Sequence, residues 1–382
     1  MDFVGLSLLS FVVALFLGLY TGTFEPAIEL AGNLSLSEKR PMKNESVKQD
    51  SELLTENFYR ESCPSAERII RSSIRVMYDA KPGIAPSLVR LLFHDCFIGG
   101  CDASVLLDTD KAFASEKEAP PNLSLKGFDV LETIKSKLEN VCPGVVSCAD
   151  ILALAARESV QLTGGPRFLV KTGRRDRTTA LKDAAGRELP APQANLSVVL
   201  RSFASKGFTA RETVALLGAH SIGITHCEFF EDRLYNFSGT GKPDPELNPV
   251  LLQELKTKCP FSASISPPSA TTGSTPSLDD KTYTAVPLKS MVIDLSFNNE
   301  GGQADFGIRY YRGLMQKKGV MFADQQLMAK DETARWVRAY AHDSQRFRKD
   351  FAKAMTKLTN LQILTAPLGE VRKQCSKVLN TF

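Results

Sequence analysis

RLLFHDCFIGGCDAS, residues 90–104, is the stretch on which the reading of this chain turns. Taken as a helix running into a loop, it sets Arg90 and His94 four residues apart, about 40° around a 3.6-residue helix and so on one face. A cation beside a titratable imidazole serves where negative charge must be stabilised and a proton moved. Phe93 lies between them in sequence and can wall the same space against water. Asp95 faces elsewhere, and with Asp102 and Ser104 it brackets a short loop bounded by Cys96 and Cys101. Three hard oxygen side chains with free loop carbonyls suit calcium, in a loop too irregular for an EF-hand. A capped helix end carrying a small disulfide loop is the plainer alternative for any one of these residues. It accounts poorly for all of them together.

The stretch resembles the distal haem signature of the secreted plant peroxidases, the class III haem peroxidases. That resemblance implies a mainly α fold in which two helical halves enclose one haem b. It also implies a distal calcium held by Asp95, Asp102 and Ser104 with the carbonyls of Ile98 and Gly100, and reached by Glu116 through water.

The rest of the chain bears on compartment and partners. Its 382 residues, 43% hydrophobic, suffice for one large or two modest domains with a real core. The net charge of +4 comes without a Lys/Arg run, which argues against nucleic acid and allows only a weak preference for anionic cell-wall polysaccharide. Residues 3–20, FVGLSLLSFVVALFLGLY, form a charge-free apolar run that reads as a secretory signal, or as an uncleaved anchor given its length. Either way the remainder enters the secretory pathway. Eight cysteines fit an oxidising compartment and a disulfide framework, and the absence of a CxxC pair speaks against zinc or thioredoxin-type chemistry. Residue spacing leaves their connectivity open; the resemblance implies Cys63–Cys142, Cys96–Cys101, Cys148–Cys375 and Cys227–Cys259. Sequons at Asn33, Asn44, Asn122, Asn195 and Asn236 suit a secreted glycoprotein, with Asn122 set aside for a reason given below.

Residues 21–56 are polar and weakly periodic, as in a disordered extension. A haem peroxidase domain is expected over 57–380, with a distal half to about 190 and a proximal half beyond. Helical periodicity recurs at 66–80, 127–144, 145–165 (with Ser147 as cap), 210–223 and 334–361, which makes the class mainly α. Short strands fit PRFLVKTGRRD (166–176), though no sheet-forming series follows. A Ser/Thr/Pro-rich stretch, 260–281, reads as an inserted linker.

Of the four histidines, His220 stands out because Gly218, Ala219, Ser221 and Gly223 around it are small, so that a flat macrocycle could approach the backbone. His226 and His342 have no such clearing. The segment VALLGAHSIGITHC (214–227) resembles the proximal haem motif of the same family, which assigns His220 as the axial iron ligand. FADQQL (322–327) matches the segment carrying the acceptor for the other ring nitrogen, and so implies Asp324. SEKEAPPNLSLKGF (115–128) matches the stretch whose Asn fixes the distal imidazole, and so implies Asn122, where a glycan would spoil the contact. LPAP (189–192) matches the substrate channel, with Pro190 at the haem edge and Phe229 beside Phe93 as candidate donor contacts. By the same resemblance a proximal calcium would use Ser221, the hydroxyl after the axial histidine, and two aspartates upstream of the paired Tyr310 and Tyr311. Ser296 and Gly307 stand where two aspartates belong, leaving Asp294 or Asp305 to compensate. Phe168 stands at a position where the family often has tryptophan.

The function so implied is reduction of hydrogen peroxide with one-electron oxidation of phenolic donors, by a secreted and monomeric protein. The alternative is a peroxidase-fold binding or structural module of the wall or membrane surface with weak activity.

Overall fold

The computed structural model describes residues 54–261, 292–295 and 306–379. The signal or anchor segment, nearly all of the polar extension, residues 262–281 of the inserted linker, Ser296 and Asp305 lie outside the described residues.

The first half is built on α1 (Ala66–Ala80) and α2 (Ile84–Phe97), followed by α3 (Phe128–Val141) and α4 (Cys148–Leu162). Helix α4 is the axle. Its apolar side chains from Cys148 to Val160 are buried all round, and α1, α2 and α3 each pack against it. Ser147 caps it, accepting the N–H of Asp150. The buried carboxylate of Asp176 takes the N–H groups of Cys148 and Ala149 (3.1 and 2.9 Å), placing negative charge at the positive end of the helix. Two short helices, α5 (Lys182–Glu188) and α6 (Leu196–Ser205), lead to the second half.

There, α7 (Ala210–Leu217) starts on a reciprocal cap, Thr209 with Glu212. The helical pattern expected to run on to residue 223 ends at Leu217. A 3-10 turn, Gly218–Ser221, takes over, and the chain becomes strand β1 (Ile224–His226). His226 is therefore on a strand rather than further round a helix. Helices α8 (Glu231–Tyr235) and α9 (Pro249–Lys258) follow. Strand β2 (Val292–Asp294) pairs antiparallel with β1, Thr225 opposite Ile293. The expected strands at 166–176 amount to isolated bridges, Thr55 to Thr172 and Asp176 to Glu370. The chain closes with α10 (Ile308–Met315), α11 (Phe322–Gln325), α12 (Asp331–His342) and α13 (Ser344–Leu358). The single helix expected over 334–361 is two. Asp343 divides it, because its side chain accepts the N–H of Arg346 and restarts the helix.

A single apolar core runs through both halves, from Leu91 and Phe97 on α2 to Val214 on α7, Tyr311 on α10 and Phe347 on α13. A smaller cluster surrounds the Cys227–Cys259 disulfide and β2, with Phe230, Leu234, Leu255 and Ile293. The other disulfides are Cys63–Cys142, Cys96–Cys101 and Cys148–Cys375, and the four pairs match those the resemblance implies. Each is worth about 2–4 kcal/mol through restriction of the unfolded chain. No described helix is long and apolar enough to cross a membrane.

Candidate functional site

Arg90 and His94 both stand on α2, four residues apart, and both are gripped by the loop at 119–124. His94 is 8% exposed, and its Nδ1 lies 2.7 Å from Asn122 Oδ1. The amide of Asn122 is oriented by its other end, where Nδ2 donates to the Glu116 carbonyl at 2.9 Å. That bond leaves only Oδ1 for the imidazole, so Nδ1 carries the proton and Nε2 is an open acceptor. Burial, reinforced by the charge on Arg90, lowers the His94 pKa to about 3, so the ring is neutral throughout the physiological range. The Arg90 guanidinium donates to Ser124 Oγ and to the Pro121 carbonyl, each at 3.0 Å. Burial pulls its pKa down to about 10, and it remains a cation. Phe93 meets the His94 ring edge-on and stacks with Phe203, forming an apolar wall behind the pair.

His220 sits in the 3-10 turn after α7. Its Nδ1 is 2.9 Å from Asp324 Oδ1, and the same oxygen accepts the Tyr310 hydroxyl at 2.8 Å. Burial would lower the pKa of His220, but the Asp324 carboxylate outweighs it and raises it. With Nδ1 engaged, Nε2 is the free nitrogen. Protein surrounds this side chain, yet 39% of its surface stays open, as expected of a group lining an internal hollow. Phe93, Ala219 and Ile222 are likewise only partly buried against the main core. The charge on Arg90 is felt at His220, so the two histidine clusters belong to one electrostatic neighbourhood.

Two of the small residues beside His220 serve a different purpose from the one expected. A Cβ on Gly218 would lie 2.4 Å from the Tyr311 hydroxyl and 2.6 Å from the Phe347 ring; on Gly223 it would lie 2.8 Å from Pro86 of α2. Both glycines allow protein to approach protein. Ala219 and Ser221 are left as small residues beside the histidine. The LPAP segment is tied to this region by the Ala323 N–H donating to the Pro192 carbonyl (2.9 Å) and by Gln193 Nε2 donating to the Phe229 carbonyl (3.0 Å). Pro190 and Phe229 are both half-buried.

The loop after α2 gathers buried oxygen atoms that have no hydrogen-bond partner: Asp95 Oδ1, Ser104 Oγ and Glu116 Oε2. Orphaned buried oxygens are costly, and a hard cation would satisfy them. Burial, with Asp102 and then Glu116 nearby, pushes the Asp95 carboxyl well up, and burial raises Glu116 to about 7. Among the described residues no three His, Cys, Asp or Glu side chains converge closely enough to hold a metal by themselves. The unpartnered donors here are two carboxylates and a hydroxyl, all hard oxygens, which fits calcium. Gly100 is required on backbone grounds: its φ is +120°, and a Cβ would sit 2.1 Å from the Gln362 carbonyl.

Among the described residues, the proximal candidates Ser221 and Asp294 leave no such unpartnered buried oxygen. Ser221 Oγ accepts the Gly307 N–H at 2.9 Å, and a Cβ on Gly307 would meet the Phe347 ring at 2.0 Å. The Phe347 ring thus stands where a side chain at 307 would begin. Asp294 lies exposed on β2 opposite Ile224.

Sequence reasoning missed Ser124, the Pro121 carbonyl and the Tyr310 hydroxyl as site groups. In the sequence Tyr310 is only half of a tyrosine pair, and its position fourteen residues before Asp324 gives no local cue.

Comparison with known proteins identifies the family. The sequence family described as Peroxidase matches residues 70–343. The chain is 58% identical over 360 residues to the Arabidopsis thaliana protein named "Putative Peroxidase 48", covering 91% of this chain and 89% of that one. It is 41% identical to Peroxidase 25 of the same plant, over 86% of this chain and 92% of the relative. It is 40% identical to Peroxidase 5 of Vitis vinifera, over 85% of this chain and 91% of the relative.

Proposed function

The chain belongs to the peroxidase family and is a peroxidase of the class III plant type, and on that premise we propose that it holds haem b between His94 and His220. It reduces hydrogen peroxide while taking single electrons from small phenolic donors. The observation that carries this reading is the matched pair of histidines, each with Nδ1 occupied, by Asn122 and by Asp324, and each with Nε2 free. When bound, haem supplies the redox chemistry.

The protein's own groups have distinct tasks. His220 Nε2 would hold the haem iron, and Asp324, accepting from Nδ1, would make the imidazole a stronger electron donor. His94 Nε2 takes a proton from peroxide and returns it to the departing oxygen, positioned proton transfer of this kind being worth about 10²–10⁴-fold. Arg90 keeps its N–H groups on hand for the negative charge that develops as the O–O bond opens. Phe93 and Phe203 exclude water behind them. Pro190 and Phe229 receive the donor. Asp95, Asp102 and Ser104, with the carbonyls of Ile98 and Gly100, would hold one calcium. Through Glu116, whose carbonyl holds the Asn122 amide, that loop is tied to His94. Eight disulfide-bonded cysteines and the N-terminal apolar run support export.

The alternative of a binding or structural module is not favoured, since the relatives at high coverage are all named peroxidases. The experiment is steady-state oxidation of guaiacol by the haem-loaded protein. Turnover is expected in the wild type, to fall by about 10²–10⁴-fold in His94→Ala at unchanged haem content. Turnover unaffected by that substitution would overturn the assignment.

A further inference from the structure

We propose that Trp336 is a surface oxidation site wired to His220 by a line of aromatic rings, and that it serves an anionic, electron-rich aromatic donor too large to enter the interior. The proposal rests on the haem reading of His220 given above.

The line is continuous. Trp336, half-buried on α12, has its ring centroid 6.2 Å from that of Tyr340. Tyr340 is 5.2 Å from Tyr311, Tyr311 is 5.0 Å from Tyr310, and Tyr310 is 6.5 Å from the imidazole of His220. Tyr310 and His220 also share Asp324 Oδ1 as hydrogen-bond acceptor. Core packing alone asks only for bulk, and the chain supplies bulk beside this line with phenylalanine. Phe347 touches Tyr311 and Tyr340, and Phe306 and Phe351 extend the same layer. Within this layer of described rings, the oxidisable ones are those on the path.

Two tyrosines on the path have a base at the hydroxyl. Tyr340 donates to Asp350 Oδ2 at 2.7 Å, and Tyr310 donates to Asp324 at 2.8 Å. Tyr311 donates to the Val214 carbonyl, which accepts no proton, and so acts as a bridge between them. At the surface end, the guanidinium of Arg211 lies 4.5 Å from the Trp336 ring and that of Arg335 lies 5.4 Å away. Cations there disfavour a charged indole radical and attract anionic donors.

Atoms and electrons balance along the path. Peroxide, the oxidant of the family reaction, withdraws one electron on the His220 side. Tyr340 refills it through Tyr311 and Tyr310, becoming a phenoxyl radical as its proton crosses to Asp350. Trp336 then gives one electron to that radical; the proton returns from Asp350, and the indole N–H proton leaves to water. One electron and one proton from the donor restore Trp336, and the donor departs as a radical. Two such turns supply the two electrons and two protons that convert hydrogen peroxide to two waters.

The test uses the haem-loaded full chain, with Trp336→Phe and Tyr340→Phe beside it. Each protein is treated with peroxide and a nitroso spin trap, and adducts are mapped by peptide mass spectrometry. Each is then assayed with high-mass lignosulfonate and with guaiacol. The expected result is an adduct on Trp336 in the wild type that falls about tenfold or more in Tyr340→Phe. Lignosulfonate oxidation should fall by about tenfold or more in Trp336→Phe and weaken with added salt, while guaiacol turnover and haem uptake stay at the wild-type level. No Trp336 adduct in the wild type, or lignosulfonate oxidation unchanged in Trp336→Phe, overturns the proposal. Loss of guaiacol turnover in all three proteins instead overturns the haem reading, and this proposal falls with it.

Discussion

Replacing Asn122 with valine removes both ends of one buried amide while keeping a similar shape. The wild-type amide receives the His94 Nδ1–H at 2.7 Å and donates to the Glu116 carbonyl at 2.9 Å. Two consequences follow. The His94 Nδ1–H and the Glu116 carbonyl are left unsatisfied in the interior, at about 1–3 kcal/mol each. The tautomer with Nε2 open also loses the bond that selects it, worth about 1–3 kcal/mol, so that preference drops by about 5- to 150-fold. Stopped-flow measurement of the haem-loaded variant should show the bimolecular rate with peroxide falling by about one to two orders of magnitude. The later reduction by phenol should change far less, since Asn122 is assigned no contact with the donor. An unchanged peroxide rate in a folded, haem-replete Asn122→Val protein would refute the argument that this bond sets the tautomer of His94.

The His94 pKa of about 3 lies below its unfolded value, so the unfolded chain binds more protons between those two values. Its contribution to stability is complete above about pH 6.5 and is lost as pH falls toward 3, at most about 5 kcal/mol, which acid titration of wild type against His94→Gln should resolve as a smaller acid sensitivity in the variant. Chelation should remove the calcium held by the loop after α2 and slow the peroxide reaction through the Glu116–Asn122–His94 link; an unchanged peroxide rate in the calcium-depleted protein would contradict that link. Tyr310→Phe should remove one of the two side-chain donors to Asp324 Oδ1, strengthening its bond to His220 and lowering the haem reduction potential measurably, with no change if the Tyr310 hydroxyl is irrelevant. Gly307→Asp should destabilise the fold by roughly 2 kcal/mol or more rather than restore an ion site, because φ is +89° and the Phe347 ring occupies the space; equal melting temperatures would contradict this.

The sequence was most legible where function and local spacing coincide. Arg90 and His94 are one helical turn apart on α2, so their shared face follows from the helix alone. The helix over Ala66–Ala80 was delimited by its apolar period. Legibility failed where partners are remote. Asp324, 104 residues from His220, was reached only through the family resemblance, and Ser124, which meets Arg90 across 34, not at all, because no periodicity connects either pair. The glycines at 218 and 223 misled because a small residue records only that something comes close. The close neighbours turned out to be Tyr311, Phe347 and Pro86. The helix expected through 223 broke because the chain there turns into a strand whose partner, Val292–Asp294, lies beyond the inserted linker.

Resonance Raman spectroscopy of the ferrous haem-loaded protein reads the proximal bond most directly. An iron–imidazole stretch is expected in the wild type, shifted to lower frequency in Asp324→Asn and absent in His220→Ala. A stretch that persists unchanged in His220→Ala would contradict the assignment of His220 to the iron and, with it, the account of both histidines.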